Sequence, residues 1–314
     1  MKAAVINQFG EPGVFEIKDI PAPILKPNQI LVKNFASSVN PIDWKQRKGN
    51  HKLFLGSPFP IMLGFDAAGI VEKVGAEVSK FKPGDRVCGV LSNPYGGAYG
   101  EFVKGAEKCF AILPESIDFE TGAALSLAGL TALQGLRDKL NVQKGQKVLI
   151  NGAAGGVGHI TLQIANIMEA ETIAVTSKPH FDMVNEYAPD EIIDYKTTNI
   201  LESKDKYHHF FDAVGVYSFL KTHHVLLKGG TYLTTLPRPK LLLHKCIAPF
   251  RQGKKVKSLL MRHSSSDLEL LISWVEKGML KIRFDKQFTL DEISKAHQYA
   301  QLGKTEGKIV IKIR

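Results

Sequence analysis

The sequence predicts an α/β protein in two parts, a β-barrel-like unit followed by a doubly wound parallel sheet. Three observations carry this. The first third is a series of short β-like runs broken by Pro and Gly. Near Pro114 the apolar spacing becomes helical. From Val148 onward, strand-like and helix-like runs alternate, as they do where helices cross over a parallel sheet.

In the front unit the β-like runs are Ala3–Ile6, Gln29–Phe35, Gly69–Val74, Arg86–Val90 and Glu101–Lys104. Turn signals separate them: Glu11-Pro12-Gly13, Lys26-Pro27-Asn28 and Lys82-Pro83-Gly84-Asp85. From Phe119 to Leu140 the residues Leu125, Ala128, Leu130, Leu133, Leu136 and Leu140 recur at helical spacing. The alternating part comprises Val148–Asn151, Ile160–Met168, Thr172–Thr176, Phe181–Tyr187, Glu191–Asp194, Phe210–Val214, Tyr217–Leu227, Thr231–Thr235 and a helix over Leu268–Lys277. The chain closes with Ile282–Phe284, a helix over Leu290–Leu302 and the strand Gly307–Ile313. The basic segment Pro237–Ser266, which carries Pro239 and Pro249, suits a strand, a lid or an interface.

A length of 314 residues suits two domains, and 44% hydrophobic with 23% charged residues is ordinary for a globular chain. No apolar run approaches the roughly 20 residues that span a bilayer. Met1-Lys2-Ala3-Ala4-Val5-Ile6 starts as a strand and lacks the layout of a signal peptide. We therefore expect a cytoplasmic protein with no membrane association. The net charge of +10 raises nucleic acid as a partner. The lysines are spread along the chain, however, and no aromatic-basic interleaving accompanies them, so no nucleic-acid role is expected. Cys88, Cys109 and Cys246 are far apart and form no Cys-x-x-Cys pair, so they are expected to be reduced and buried. The pairs His208-His209 and His223-His224 lack metal-ligand spacing and are expected on solvated surface.

The chemistry concentrates in Val148-Leu149-Ile150-Asn151-Gly152-Ala153-Ala154-Gly155-Gly156-Val157-Gly158. An apolar run enters a glycine-rich turn, a helix over Gly156–Met168 follows, and a second apolar run comes after it. This is the unit that binds a dinucleotide pyrophosphate. Its three glycine places fall on Ala153, Gly155 and Gly158, so alanine stands first. The turn Ala154, Gly155, Gly156, Val157, Gly158 would offer backbone N–H groups at a helix N-terminus, where the dipole favours anions.

An acid usually closes the second strand in NAD-binding units and accepts from the ribose. Here Ser177-Lys178 stands in that place. A carboxylate would repel a 2′-phosphate, whereas a hydroxyl and an ammonium bind it. The expected cofactor is therefore NADPH. Ser177-Lys178-Pro179 also reads as a plain polar loop. Tyr195, after the next strand, reads either as packing near the same phosphate or as plain core or surface packing.

With these motifs in place, the whole chain resembles the medium-chain dehydrogenase/reductase superfamily, and within it the zinc-independent quinone oxidoreductase (zeta-crystallin-like) branch. The resemblance rests on Ser38-Val39-Asn40-Pro41-Ile42-Asp43, Gly64-Phe65-Asp66-Ala67-Ala68-Gly69-Ile70-Val71, Val74-Gly75 and Phe81-Lys82-Pro83-Gly84-Asp85-Arg86-Val87. It continues through Gly97-Ala98-Tyr99-Gly100-Glu101-Phe102, Leu127-Ala128-Gly129-Leu130-Thr131-Ala132, the glycine turn and Gly307-Lys308-Ile309-Val310. It implies a GroES-like β domain over 1–122, a Rossmann domain over 123–284 and a C-terminal return to the first domain over 285–314.

Alcohol dehydrogenases of this build hold zinc with a Cys and a Gly-His-Glu motif. Here those places read Asn40 and Gly64-Phe65-Asp66, and Leu91–Glu101 has no cysteine, so no metal is expected. Without a Lewis acid, conjugated substrates are the ones that accept hydride readily. By the resemblance, Asn40 lies beside nicotinamide and substrate, Thr131 borders the nicotinamide and Lys308 lies near the cofactor. Asn40 also reads as the cap of the Pro41–Arg47 turn, Thr131 as bonded to its own helix, and Lys308 as a surface lysine. Lys45 stands where some relatives carry a tyrosine; Lys45 and His51 are candidate proton donors, and Lys45 also reads as a solvated lysine. Asp43 reads as a structural cap.

The expected function is NADPH-dependent hydride transfer to quinones or α,β-unsaturated carbonyls. Two rivals are an enoyl-thioester reductase on the same scaffold and a non-catalytic NADPH-binding protein, crystallin-like or RNA-binding. A homodimer is expected, joined through an exposed edge of the parallel sheet.

Overall fold

The alternating half of the sequence forms a six-stranded sheet in which every neighbouring pair is parallel. The computed structural model describes residues 1–236, 244 and 246–314. Of the basic segment, Pro237–Leu243 and Lys245 lie outside the described residues. The chain divides into two units. One comprises Met1–Leu130, His263–Gly278 and Ile282–Arg314, and the other Thr131–Arg262 and Met279–Lys281.

In the second unit the strands lie in the spatial order Glu191–Asp194, Glu171–Thr176, Lys147–Asn151, Tyr207–Asp212, Leu226–Thr234 and Lys255–Ser258. The order runs outward in both directions from the first strand in sequence. This is the doubly wound arrangement, and its reversal point lies between Lys147–Asn151 and Tyr207–Asp212. Val148, Leu149 and Ile150 are all buried, as in strands covered on both faces. Leu149, Ile173, Val175, Phe210 and Tyr232 share one core.

The first unit is built on the long strand Gln29–Val39. Its seven-stranded sheet runs Phe284–Thr289, Lys308–Lys312, Gln29–Val39, Asp66–Val74, Arg86–Val90 and Phe110–Ile112, with Phe102–Ala106 also paired to the long strand. Lys2–Ile6 pairs with Phe15–Asp19 and Ile61–Met62 in a small second sheet. Two registers of the large sheet gather polar side chains. Ile309 pairs with Val39, which sets Lys308 beside Asn40. Ala36 pairs with Ala68, which sets Ser38 across from Asp66.

Several expected elements differ. The helix expected over Tyr217–Leu227 is two short pieces, Phe219–Thr222 and His223–Val225, because the strand Leu226–Thr234 begins inside it. Ile282–Phe284 marks only the start of the strand Phe284–Thr289, whose mostly polar, partly exposed residues hide the alternation. The helix after the glycine turn begins at Gly158, not Gly156. Cys246 is exposed, while Cys88 and Cys109 are buried. His209 is buried too: it sits mid-sheet opposite Val148 and Thr231, and its ring bonds Gln146 Oε1 at 2.8 Å. Burial pushes its pKa down to about 4.

Candidate functional site

At the end of Lys147–Asn151 the chain turns through Gly152, whose φ of 81° is left-handed and suits glycine. The tight turn thus falls on Gly152, one residue before the expected place, and Ala153 is buried with its N–H bonded to Val175 O at 3.1 Å. Gly158 opens the helix so close to this turn that a β-carbon on it would lie 1.9 Å from Gly152 O. Among the described residues no carbonyl takes the N–H groups of Gly156, Val157 and Gly158, and no side chain caps the helix. Such a cradle of uncapped N–H groups fits a phosphate.

The neighbouring strand ends supply the remaining polar groups of this unit. Thr176 pairs with Asp194, so Ser177 and Tyr195 are the residues that follow two adjacent strands. Ser177 is buried and its side chain caps nothing, whereas Lys178 is exposed. Tyr195 is 52% exposed. Asp194, the acid on the adjacent strand, turns one oxygen to the Lys196 N–H at 2.9 Å.

On the other side of the reversal point, Asn151 Nδ2 donates to Asp212 Oδ1 at 2.8 Å. Asp212 also accepts from the N–H groups of Val214, Gly215 and Tyr217 and from the Tyr232 hydroxyl. It fixes the loop that leaves the strand Tyr207–Asp212. Asp212 belongs to none of the sequence motifs described above. Its signal was Phe210-Phe211-Asp212, an acid closing an apolar strand.

In the first unit Asn40 is the residue at which the long strand becomes the helix Pro41–Arg47. Its backbone N–H donates to Asp43 Oδ2 at 2.7 Å. Its side chain is held at both ends. Nδ2 donates to Asp66 Oδ2 at 2.7 Å, and Oδ1 accepts from Lys308 Nζ at 2.6 Å. Asn40 is thus both the start of the helix and the centre of a side-chain network. Lys308, only 3% exposed, is no surface lysine, and its ammonium lies 3.6 Å from the fully buried Asp66 carboxylate. Asp66 also accepts from the Ser38 hydroxyl and, at 2.8 Å, from the Leu127 N–H. Burial pulls the Lys308 pKa down, and the charges of Asp66 and Asp43 oppose that pull.

A second layer lies around Asp43. Burial pushes its carboxyl up to about 7, against the hydrogen bond from Asn40, and the Asp66 charge adds to the rise. The Tyr99 hydroxyl lies 3.1 Å from His297 Nε2, and burial drives His297 well below its ordinary pKa. Lys45 is half-buried, 5.4 Å from the Trp44 ring centroid. Burial first, and then the Lys45 charge, lower the pKa of His51.

The expected site residues therefore fall into two sets. Ala154 to Gly158, Ser177, Lys178 and Tyr195 lie at the C-terminal ends of the parallel strands. Asn40, Lys45 and Lys308 lie in the first unit. Thr131 is buried in the helix Phe119–Gln134 and is the first residue of the second unit. Asp66 and Asn40, whose places the resemblance associates with zinc, bond each other. Among the described residues no three or more His, Cys, Asp or Glu side chains gather as a metal ion needs.

Two family models match. Residues 26–115 match the alcohol dehydrogenase GroES-like domain and residues 188–311 the zinc-binding dehydrogenase model. The chain is 31% identical over 324 aligned positions to the chloroplast envelope quinone oxidoreductase homolog of Arabidopsis thaliana, covering 99% of this chain and 98% of the relative. It is also 31% identical to the chloroplastic NADPH-dependent alkenal/one oxidoreductase of the same plant, covering 99% and 79%. Among solved structures, the quinone oxidoreductase from Coxiella burnetii superposes with a TM-score of 0.94 at 30% identity, covering 100% of this chain and 99% of that one.

Proposed function

The chain belongs to the medium-chain dehydrogenase/reductase superfamily, in its zinc-independent quinone oxidoreductase branch, and we propose that it reduces quinones or α,β-unsaturated carbonyls with NADPH. One observation carries the cofactor half of this reading. The uncapped N–H groups behind Gly152 follow the strand Lys147–Asn151, whose neighbour Glu171–Thr176 leads into Ser177-Lys178 and not into an acid. The turn from Ala154 to Gly158 holds the pyrophosphate, and Ser177, Lys178 and Tyr195 hold the 2′-phosphate.

The bound cofactor supplies the hydride, which a conjugated carbonyl accepts with its charge spread towards oxygen. The protein's part is to orient the acceptor and to supply hydrogen bonds and a proton. Asn40 carries a side-chain N–H donor for a carbonyl oxygen. Thr131 is assigned to the nicotinamide, and Lys45 or a water beside it to the proton.

No helix among the described residues is long and apolar enough to cross a membrane. We place the protein in the cytoplasm, as a homodimer joined through the edge strand Lys255–Ser258. Sedimentation of wild type beside Val256→Pro tests the dimer, since proline removes a ladder donor from that edge. The catalytic reading is tested by a panel of quinones, enals, enones and enoyl-thioesters. Turnover of the first three with NADPH supports it, and turnover of the thioesters alone overturns it.

A further inference from the structure

The side chain of Asn40 has two N–H donors and one carbonyl oxygen. One donor faces the Asp66 carboxylate, and the oxygen faces the Lys308 ammonium. Turning the amide over would set its NH2 group against the ammonium and its oxygen against the carboxylate. Both contacts would then be repulsive, in a place where Asn40 is 3%, Lys308 3% and Asp66 0% exposed. Low dielectric makes each of those contacts costly. The two charges come from strands far apart in sequence, and the pairing of Ile309 with Val39 brings Lys308 into position.

We propose that Lys308 is a positioning residue that clamps the Asn40 amide in one orientation. The single N–H not given to Asp66 is then the group Asn40 presents to a ligand. The clamp makes Asn40 a donor and not an acceptor, which selects ligands with a carbonyl or quinone oxygen at that point. Only the identity of this acceptor rests on the proposed function.

The test uses the full-length protein and two readouts. The first is the Asn40 side-chain amide signal in a nitrogen–proton correlation spectrum, assigned by its loss in Asn40→Ala. Two well-separated proton signals with slow solvent exchange are expected in wild type, and in Lys308→Met they converge and exchange faster. Exchange as fast as that of exposed amides in wild type overturns the clamp, whatever the variants do.

The second readout is kinetic. Lys308→Met is expected to lower kcat/KM by about 10- to 100-fold while the NADPH Kd changes by less than about threefold. The same substitution added to Asn40→Ala is expected to cost little more than Asn40→Ala alone. A loss in NADPH affinity that matches the fall in kcat/KM, or losses that multiply in the double variant, overturns the proposal. If wild type turns over neither quinones nor enones, the functional reading fails and the amide signals still decide the clamp.

Discussion

Gly152 and Gly158 meet so closely that a β-carbon on Gly158 would lie 1.9 Å from the Gly152 carbonyl oxygen. Backbone meets backbone there, so no side chain can move aside. Gly158→Ala is expected to cost about 1–3 kcal/mol of stability. The same shift displaces the uncapped N–H groups, so NADPH binding falls with it. Thermal unfolding and NADPH fluorescence titration on one preparation check both. An unchanged Kd would contradict the assignment of the pyrophosphate to this turn.

The Ser177-Lys178 pair is proposed to set the cofactor preference. Lys178→Ala is expected to weaken NADPH by about tenfold, the loss of one charge-assisted contact, and to leave NADH nearly unchanged. Ser177→Asp restores a carboxylate at the strand end and is expected to favour NADH over NADPH. Titration of both cofactors against each variant decides it, and parallel losses for the two would place Lys178 away from the 2′-phosphate.

Asp212 holds five donors: the Asn151 amide, three backbone N–H groups and the Tyr232 hydroxyl. Asp212→Ala removes this acceptor from the Asn151 amide and the Val214 and Tyr217 N–H groups, while the Tyr232 hydroxyl keeps Tyr217 O at 2.9 Å, and is expected to destabilise the fold by about 3 kcal/mol or more. Denaturant unfolding measures it. A loss below about 1 kcal/mol would mean that water replaces the carboxylate.

Asp43 gives the fold a pH dependence of definite sign. Its folded carboxyl is pushed up to about 7 from an ordinary 3.8, by burial above all. The folded state therefore holds this proton more tightly than the unfolded state does. Its share of stability is greatest on the acid side and is lost as pH rises through about 7. Asp43→Asn keeps an oxygen for the Asn40 N–H and removes the titration. The Tm of wild type is expected to fall relative to the variant between about pH 4 and pH 7. Parallel Tm curves would contradict it.

The parts of this fold visible in the sequence are those with local causes. Val148–Asn151 and Thr172–Thr176 show because buried parallel strands are continuous apolar runs, and the glycine turn shows because its backbone demands glycine. Phe15–Asp19 does not show because its residues are mostly exposed, and Lys255–Ser258 does not because Val256 is its one apolar side chain; neither edge strand carries the apolar signature. The link from Asn40 to Lys308 spans 268 residues and depends on strand register, which no local pattern encodes. Resemblance brought both residues to notice, but only the pairing of Ile309 with Val39 makes them neighbours.

NADPH-dependent reduction of conjugated carbonyls is decided by the rate of NADPH oxidation by wild type with 1,2-naphthoquinone and with a simple enone, measured beside NADH. Turnover of at least one of these substrates is expected, with kcat/KM for NADPH above that for NADH. No oxidation of NADPH with either substrate, or a clear preference for NADH, would refute the assignment.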